Sequence, residues 1–323
     1  MKKVALIGKI HSDGINILKN NQCEAIDLTN AKRNELKEIL KNVEAIALRT
    51  ANLDEDLLNE CHKLKIISRH GVGYDNIDLN FLNKKSIALA ITGTSNAISV
   101  SEHVMTMFLY LCKLINRSDK LVRNGKFIEK ASMPNFFEMY KKNILILGFG
   151  RIGKALAKRC LGFESNIYVY DPFIESSIIK NNNCNSIEFE EGIKIADFIS
   201  LHLPLNKKTK NMIAKDQLNM MKDTCILVNT ARGGLINEQD LVWALTNKKI
   251  YGAGLDVYEK EPPNKDNSLL KLENIILSPH NAALTLECRK RMAIETCTNI
   301  VHYLYDINKL NVSNIINKKK LNL

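Results

Sequence analysis

"ILILGFGRIG", residues 144–153, decides how this chain is read. Its apolar run breaks into three glycines, Gly148, Gly150 and Gly153, at the spacing G-x-G-x-x-G. The run suits a buried parallel strand, and Ile152, Ala155, Leu156 and Ala157 after it suit a helix. Each glycine has a physical task in such a turn. Gly148 permits the tight bend, Gly150 lets the backbone approach a pyrophosphate, and Gly153 lets helix pack closely on strand. Arg151 and Ile152 open the helix, whose N-terminus then faces the phosphate charge. Alone the pattern is weak. It gains weight from "YVYDP", where a second strand ends at Asp171 at about the 20-residue interval expected of a ribose-binding carboxylate. That carboxylate can accept from both ribose hydroxyls and repels a 2′-phosphate, and Pro172, not an arginine, follows it. NAD is expected over NADP.

A dinucleotide fold usually begins with this strand, yet here residues 1–143 come first. With 323 residues, the chain is long enough for two cores. Its 45% hydrophobic and 25% charged residues are those of an ordinary globular protein. No apolar run approaches the ~20 residues that span a bilayer. "MKKVALIGKI" lacks a signal-like apolar region, because Gly8 and Lys9 interrupt it. The eight cysteines are scattered without a C-x-x-C pair, which predicts free thiols in a reducing, cytoplasmic setting and no metal site. The net charge of +11 is spread along the chain apart from "NKKK" at 317–320. It predicts a basic solvated surface with a frayed tail, attractive to small anions, and no nucleic-acid partner.

Strand-like and helix-like runs alternate on both sides of the glycine stretch. Strands are expected near Val4–Ile7, Cys23–Ile26, Ala45–Leu48, Lys65–Ser68 and Ile87–Ile91. A second series is expected at Ile144–Leu147, Ile167–Tyr170, Phe198–Leu201, Cys225–Asn229, Gly252–Val257 and Ile275–Leu277. Such alternation predicts an α/β protein with two doubly wound parallel sheets. Between them one long helix is expected over Ile98–Arg123, capped by Ser95 or Asn96. The aromatic-rich segment at 124–142 follows, placed to dock on a partner subunit or on its own domain. A final helix is expected over Thr285–Asp306. The domains are then 1–96 with 285–323, holding substrate, and 97–284, holding the dinucleotide. The chain crosses between them twice, and the cleft is expected at the crossing.

Polar residues past the later strands suggest the chemistry. "SLHLPLNKKTKNMI" brings His202, Pro204 and Thr209 toward the cofactor, with Leu203–Leu205 as an adenine wall and Thr209 as a phosphate or ribose contact. Pro204 can equally be a simple strand end. "VNTARGGLINEQDL" places Thr230, Ala231 and Arg232 after a strand, "GAGLDVYEKEPP" supplies Asp256 and Glu261, and "ILSPHNAALT" supplies His280. Ligands of open α/β sheets sit at the carboxyl ends of strands, so these groups can converge. Reduction of a carbonyl by hydride needs a proton on oxygen, which a histidine can give. Glu261 can fix the imidazole tautomer, and Arg232 can clamp a carboxylate and polarise the carbonyl.

"GFGRIG", "YDP", "HLPL", "NTARGG", "AGLDVYEKEP" and "SPHNAALT", with "RHGVGYDNID" and "NAISVSEHV" before them, resemble the D-isomer-specific 2-hydroxyacid dehydrogenase family from about Arg49 to Met292. The resemblance implies a Rossmann NAD-binding domain inserted into a flavodoxin-like substrate domain. It implies catalytic roles for Arg232, Glu261 and His280, and a nicotinamide carboxamide contact for Asp256. The loop with Val72 and Gly73 would hold the substrate carboxylate through backbone amides. Two departures stand out. Asn281, Ala282 and Ala283 follow His280 where the family often has glycines, which would alter how closely the loop approaches its ligand. Asn237 stands where Asp is frequent.

Arg49 and Arg69 follow strands of the first domain and suit a second anionic group such as phosphate. The reading therefore leans to 3-phosphoglycerate, with glyoxylate or hydroxypyruvate reduction next and an NAD-sensing corepressor-like binder behind. The sequence ends at Leu323, soon after His280, so inhibition by serine through a C-terminal regulatory domain is not expected. The region Ile98–Tyr140 corresponds to the family's dimer-forming part, and a homodimer is expected.

Overall fold

Val4–Leu6, Ala45–Leu48 and Ile66–Ile67 are fully apolar and almost without exposure, as strands covered on both faces must be. In the computed structural model, which describes residues 1–323, they belong to a five-stranded sheet. Its strands are β1 (Lys2–Ile7), β2 (Cys23–Asp27), β3 (Ala45–Leu48), β4 (Ile66–Arg69) and β5 (Ala88–Ala90). All pair in parallel in the order β2-β1-β3-β4-β5, which is the flavodoxin-like order. One face packs on Leu40, Leu57, Leu58, Phe81 and Leu82, and the other on Ala293, Cys297 and Ile300 of the helix Leu286–Tyr305. Thr285 caps that helix by accepting from the Cys288 amide at 3.2 Å, a contact worth about 1 kcal/mol.

The second sheet has seven parallel strands. They are β6 (Asn143–Leu147), β7 (Asn166–Tyr170), β8 (Asn185–Ser186), β9 (Phe198–Leu201), β10 (Ile226–Asn229), β11 (Gly252–Leu255) and β12 (Ile275–Leu277). The order β12-β11-β10-β9-β6-β7-β8 reverses direction between β6 and β9. It is the Rossmann order with one further strand, and its ligand crevice is expected at that reversal. By contacts the chain divides into two units, residues 1–96 with 284–323 and residues 97–283. No single helix is long and apolar enough to cross a membrane.

Four local expectations are corrected. The long helix is two helices, Ala97–Cys112 and Ile115–Arg123, bent by 58°. The break sits at Leu114, whose φ of 51° is left-handed although no glycine or proline marks it. Neither expected cap starts the first helix: Ser95 donates to Glu295, and Asn96 Oδ1 has no partner. Strand β8 was not foreseen, because its two polar residues sit at the sheet edge. The tail is not frayed through Asn317. Ile316 donates to Leu89 O, and Asn317 accepts from the Leu89 amide while donating to Ile87 O. It thereby covers the free edge of β5.

The aromatic segment divides. Phe137 packs edge-on against Tyr251 at 4.9 Å, and Met139 is buried, so its end docks on its own unit. Phe127, Ile128 and Phe136 stay exposed, Ile128 at 90%.

Candidate active site

The glycine turn leaves β6 at the reversal point. Gly148 has φ +97°, and a Cβ there would stand 2.7 Å from His202 O. Gly153 faces Gly148 O, which a Cβ would approach to 2.2 Å. Both glycines are therefore required by the protein's own packing. Gly150 is different. Its φ is −72°, and a Cβ would meet nothing within 4 Å. A side chain is excluded there by no protein atom, while the Arg151–Leu161 helix N-terminus lies directly beside it. Close approach of an anionic ligand accounts for that glycine. Two buried polar atoms near the strand ends also lack partners, Thr230 Oγ1 after β10 and Asn281 Oδ1 after β12. The turn and these atoms fit a dinucleotide.

Asp171, just past β7, accepts from the Phe149 amide at 2.8 Å and the Phe173 amide at 3.0 Å. The Phe149 bond fastens the carboxylate to the glycine turn, and one bond per oxygen leaves lone pairs for ribose hydroxyls. We expect Asp171→Ala to raise the NADP-to-NAD ratio of kcat/KM at least about tenfold, by removing the repulsion of a 2′-phosphate. An unchanged ratio in steady-state assays would contradict this role.

The loop after β9 is internally braced. His202 is half-buried with Nε2 2.9 Å from Ser200 Oγ, and the loss of solvent around the ring pushes its pKa down to about 3. Thr209 donates to Pro204 O at 2.6 Å and accepts from the Asn206 amide. Its only proton is committed to the loop, so any ligand contact through it is as an acceptor. Leu203 and Leu205 lie beside Gly148 and Gly234 respectively.

Beyond β10, Asn229 Nδ2 donates to Arg232 O, and Asn229 Oδ1 accepts from the Ala231 amide. The half-buried Arg232 donates from Nη1 to Ala231 O at 2.7 Å. Asn237 caps the following helix by accepting from the Asp240 amide. Asn and Asp cap about equally well, so this departure changes nothing in the turn. Glu261 Oε2 lies 2.7 Å from His280 Nδ1, and its Oε1 accepts from the Tyr258 amide. The His280 side chain is half exposed, and its Nε2 has no protein partner. Asp256, 1% exposed, accepts from Ser278 Oγ at 2.6 Å and from the amides of Asn281 and Ala282 at 2.8 and 2.9 Å. Most of its capacity is thus used within the chain, a role that sequence reasoning missed because it needs the loop's backbone geometry.

The remaining candidates belong to the other unit. Arg49 follows β3, and its guanidinium makes no hydrogen bond or ion pair. Arg69 ends β4 in register with Leu48 and donates to His70 O at 3.0 Å. His70 is buried, and burial lowers its pKa to about 4, with Arg49 and Arg69 adding to the shift. Val72 and Gly73 lie in the partly exposed turn that follows.

A family model described as "D-isomer specific 2-hydroxyacid dehydrogenase, NAD binding domain" matches residues 105–282. The hydroxypyruvate reductase of Thermotoga maritima is 34% identical over 90% of this chain and 94% of its own. The D-3-phosphoglycerate dehydrogenase of Archaeoglobus fulgidus is 36% identical over 93% of this chain, which spans 57% of that relative's length. Among solved structures, a glyoxylate reductase from Paecilomyes thermophila superposes with a TM-score of 0.87 at 26% identity, covering 98% of this chain and 99% of that one. Residues 105–282 thus match an NAD-binding domain, and the chain belongs to the D-isomer specific 2-hydroxyacid dehydrogenase family.

Proposed function

We propose that the protein is an NAD-dependent dehydrogenase that interconverts a D-2-hydroxy acid and its 2-keto acid, and that the acid is 3-phosphoglycerate, oxidised to 3-phosphohydroxypyruvate for serine biosynthesis. The observation that carries the reaction is the 2.7 Å Glu261–His280 contact, which leaves His280 Nε2 uncommitted. Bound NAD or NADH supplies the acceptor or donor of a hydride at the substrate's C2. Gly148, Gly150 and Gly153 would hold its pyrophosphate and Asp171 its adenine ribose, with Thr230 and Asn281 offering further polar contacts.

In reduction, His280 gives the proton on Nε2 to the carbonyl oxygen; in oxidation it takes the hydroxyl proton at the same atom. Glu261 keeps Nδ1 as the donor within their pair, so the ring turns the same edge outward in both directions. Arg232 binds the substrate carboxylate and draws charge onto the carbonyl oxygen. In the first unit, the amides of Val72 and Gly73 hold a carboxylate, and Arg49 and Arg69 take a phosphate.

The unpaired Arg49 guanidinium supports the phosphorylated substrate, as does the phosphoglycerate dehydrogenase relative. The reductase relatives, matched over nearly their whole length, favour hydroxypyruvate or glyoxylate as the second reading. Steady-state rates on 3-phosphoglycerate, hydroxypyruvate, glyoxylate and D-lactate separate them. The highest kcat/KM is expected for the phosphoglycerate pair; a higher value for glyoxylate or hydroxypyruvate would replace that assignment. We also propose a homodimer formed through the exposed Phe127, Ile128 and Phe136, with a monomer in sedimentation as the contrary result. Eight buried free thiols suit a cytoplasmic setting, which fractionation of cells would check.

A further inference from the structure

The roles above leave His103 and Ser278 unexplained. His103 lies on the helix Ala97–Cys112, far in sequence from β12, yet its Nε2 is 2.9 Å from Ser278 Oγ. Ser278 Oγ is in turn 2.6 Å from Asp256 Oδ1. A hydroxyl has one proton and a carboxylate only accepts, so the directions follow. Ser278 donates to Asp256, and His103 donates from Nε2–H to Ser278.

Three donors from one short segment therefore converge on the buried Asp256 carboxylate: the Ser278 hydroxyl and the Asn281 and Ala282 amides. His280 sits between them with φ 52°. A left-handed backbone costs a non-glycine residue about 1 kcal/mol or more, and it persists only where its surroundings impose it. Here bonds on both sides of His280 impose it. The segment is held from the other side as well, because Tyr258 OH donates to Ser278 O at 3.0 Å while the Tyr258 amide donates to Glu261. Both members of the Glu261–His280 pair are thus tied to one network.

We propose that His103 and Ser278 are positioning residues for His280, acting through Asp256 and the Ser278–Ala282 backbone. This rests on the reading of His280 as the proton donor. A misplacement of about 1 Å at a reacting group can cost about 10²-fold in rate, so the relay need not touch substrate to matter.

The test compares His103→Leu, His103→Gln and Ser278→Ala with the wild type. In 15N-correlated imidazole spectra of the protein without ligand, His103 is expected as the Nε2–H tautomer. The His280 signals should shift in His103→Leu and return in His103→Gln, whose amide can donate in place of the ring. With NADH and a 2-keto substrate, His103→Leu and Ser278→Ala should lower kcat about 10–100-fold, with KM and the NADH Kd changed less than about threefold. His103→Gln should recover most of kcat. Equal losses in the Leu and Gln variants together with a lower Tm would show a packing role only and overturn the proposal. So would an Nδ1–H tautomer or unmoved His280 signals. A wild type without any turnover would remove the dehydrogenase reading, and the imidazole spectra would still decide whether the relay holds His280.

Discussion

His280→Ala is expected to lower kcat for 2-keto acid reduction by about 10²–10⁴-fold, the usual contribution of a positioned general acid, with the NADH Kd unchanged within about threefold. The two parts of this expectation have separate origins. The rate falls because Nε2 is the one ring nitrogen not committed to Glu261. Cofactor affinity persists because the glycine turn and Asp171 are braced by their own contacts, none of which involves His280. Single-turnover rates and NADH fluorescence titration measure the two independently. A loss below tenfold would move the proton donor elsewhere.

Gly233→Ala should be comparably damaging by a different route. An added Cβ would stand 1.9 Å from Tyr258 C, 2.0 Å from Tyr258 O and 2.4 Å from Glu259 N. All three are backbone atoms, so no rotamer change relieves the clash. Overpacking of this kind costs about 1–3 kcal/mol or more, or a Tm drop of roughly 2–4 °C per kcal/mol in a chain of this size. The activity loss should exceed what stability explains. Gly233 follows Arg232, and the Tyr258 amide holds Glu261, so separating the two segments displaces both groups. A kcat/KM reduction of about 10²-fold is expected from such a displacement. Gly150→Ala is the control, since its Cβ meets nothing within 4 Å: Tm should hold while NADH affinity falls. Normal activity in Gly233→Ala would mean the two segments need not stay in contact.

The parts of this fold that were readable are those where burial leaves one solution. Ile144–Leu147 and Phe198–Leu201 lie in the middle of a sheet and are apolar apart from Ser200, so the runs announce themselves. Asn185–Ser186, two polar residues at an edge, carry no such signal. The bend at Leu114 was hidden because neither glycine nor proline marks it, and the tail was hidden because side-chain amides, not apolar residues, bind Asn317 to β5.

The candidate site divides in the same way. Motif order brought Glu261 and His280 together as a pair, and their side chains meet at 2.7 Å. The internal use of Asp256 and the contact of His103 with Ser278 depend on backbone amides and on helix orientation. A lone histidine in a helix gives no sequence signal for either.

The central claim is that this chain transfers a hydride to a 2-keto acid with D stereochemistry. NADH oxidation followed by absorbance with hydroxypyruvate, 3-phosphohydroxypyruvate and pyruvate, each of which gives a chiral 2-hydroxy acid, with the product resolved on a chiral column, tests it most directly. The expected result is turnover of at least one of these keto acids to the D-2-hydroxy acid, lowered about 10²-fold or more in His280→Ala. Tight NADH binding with no turnover of any of them, or formation of the L isomer, would contradict the account.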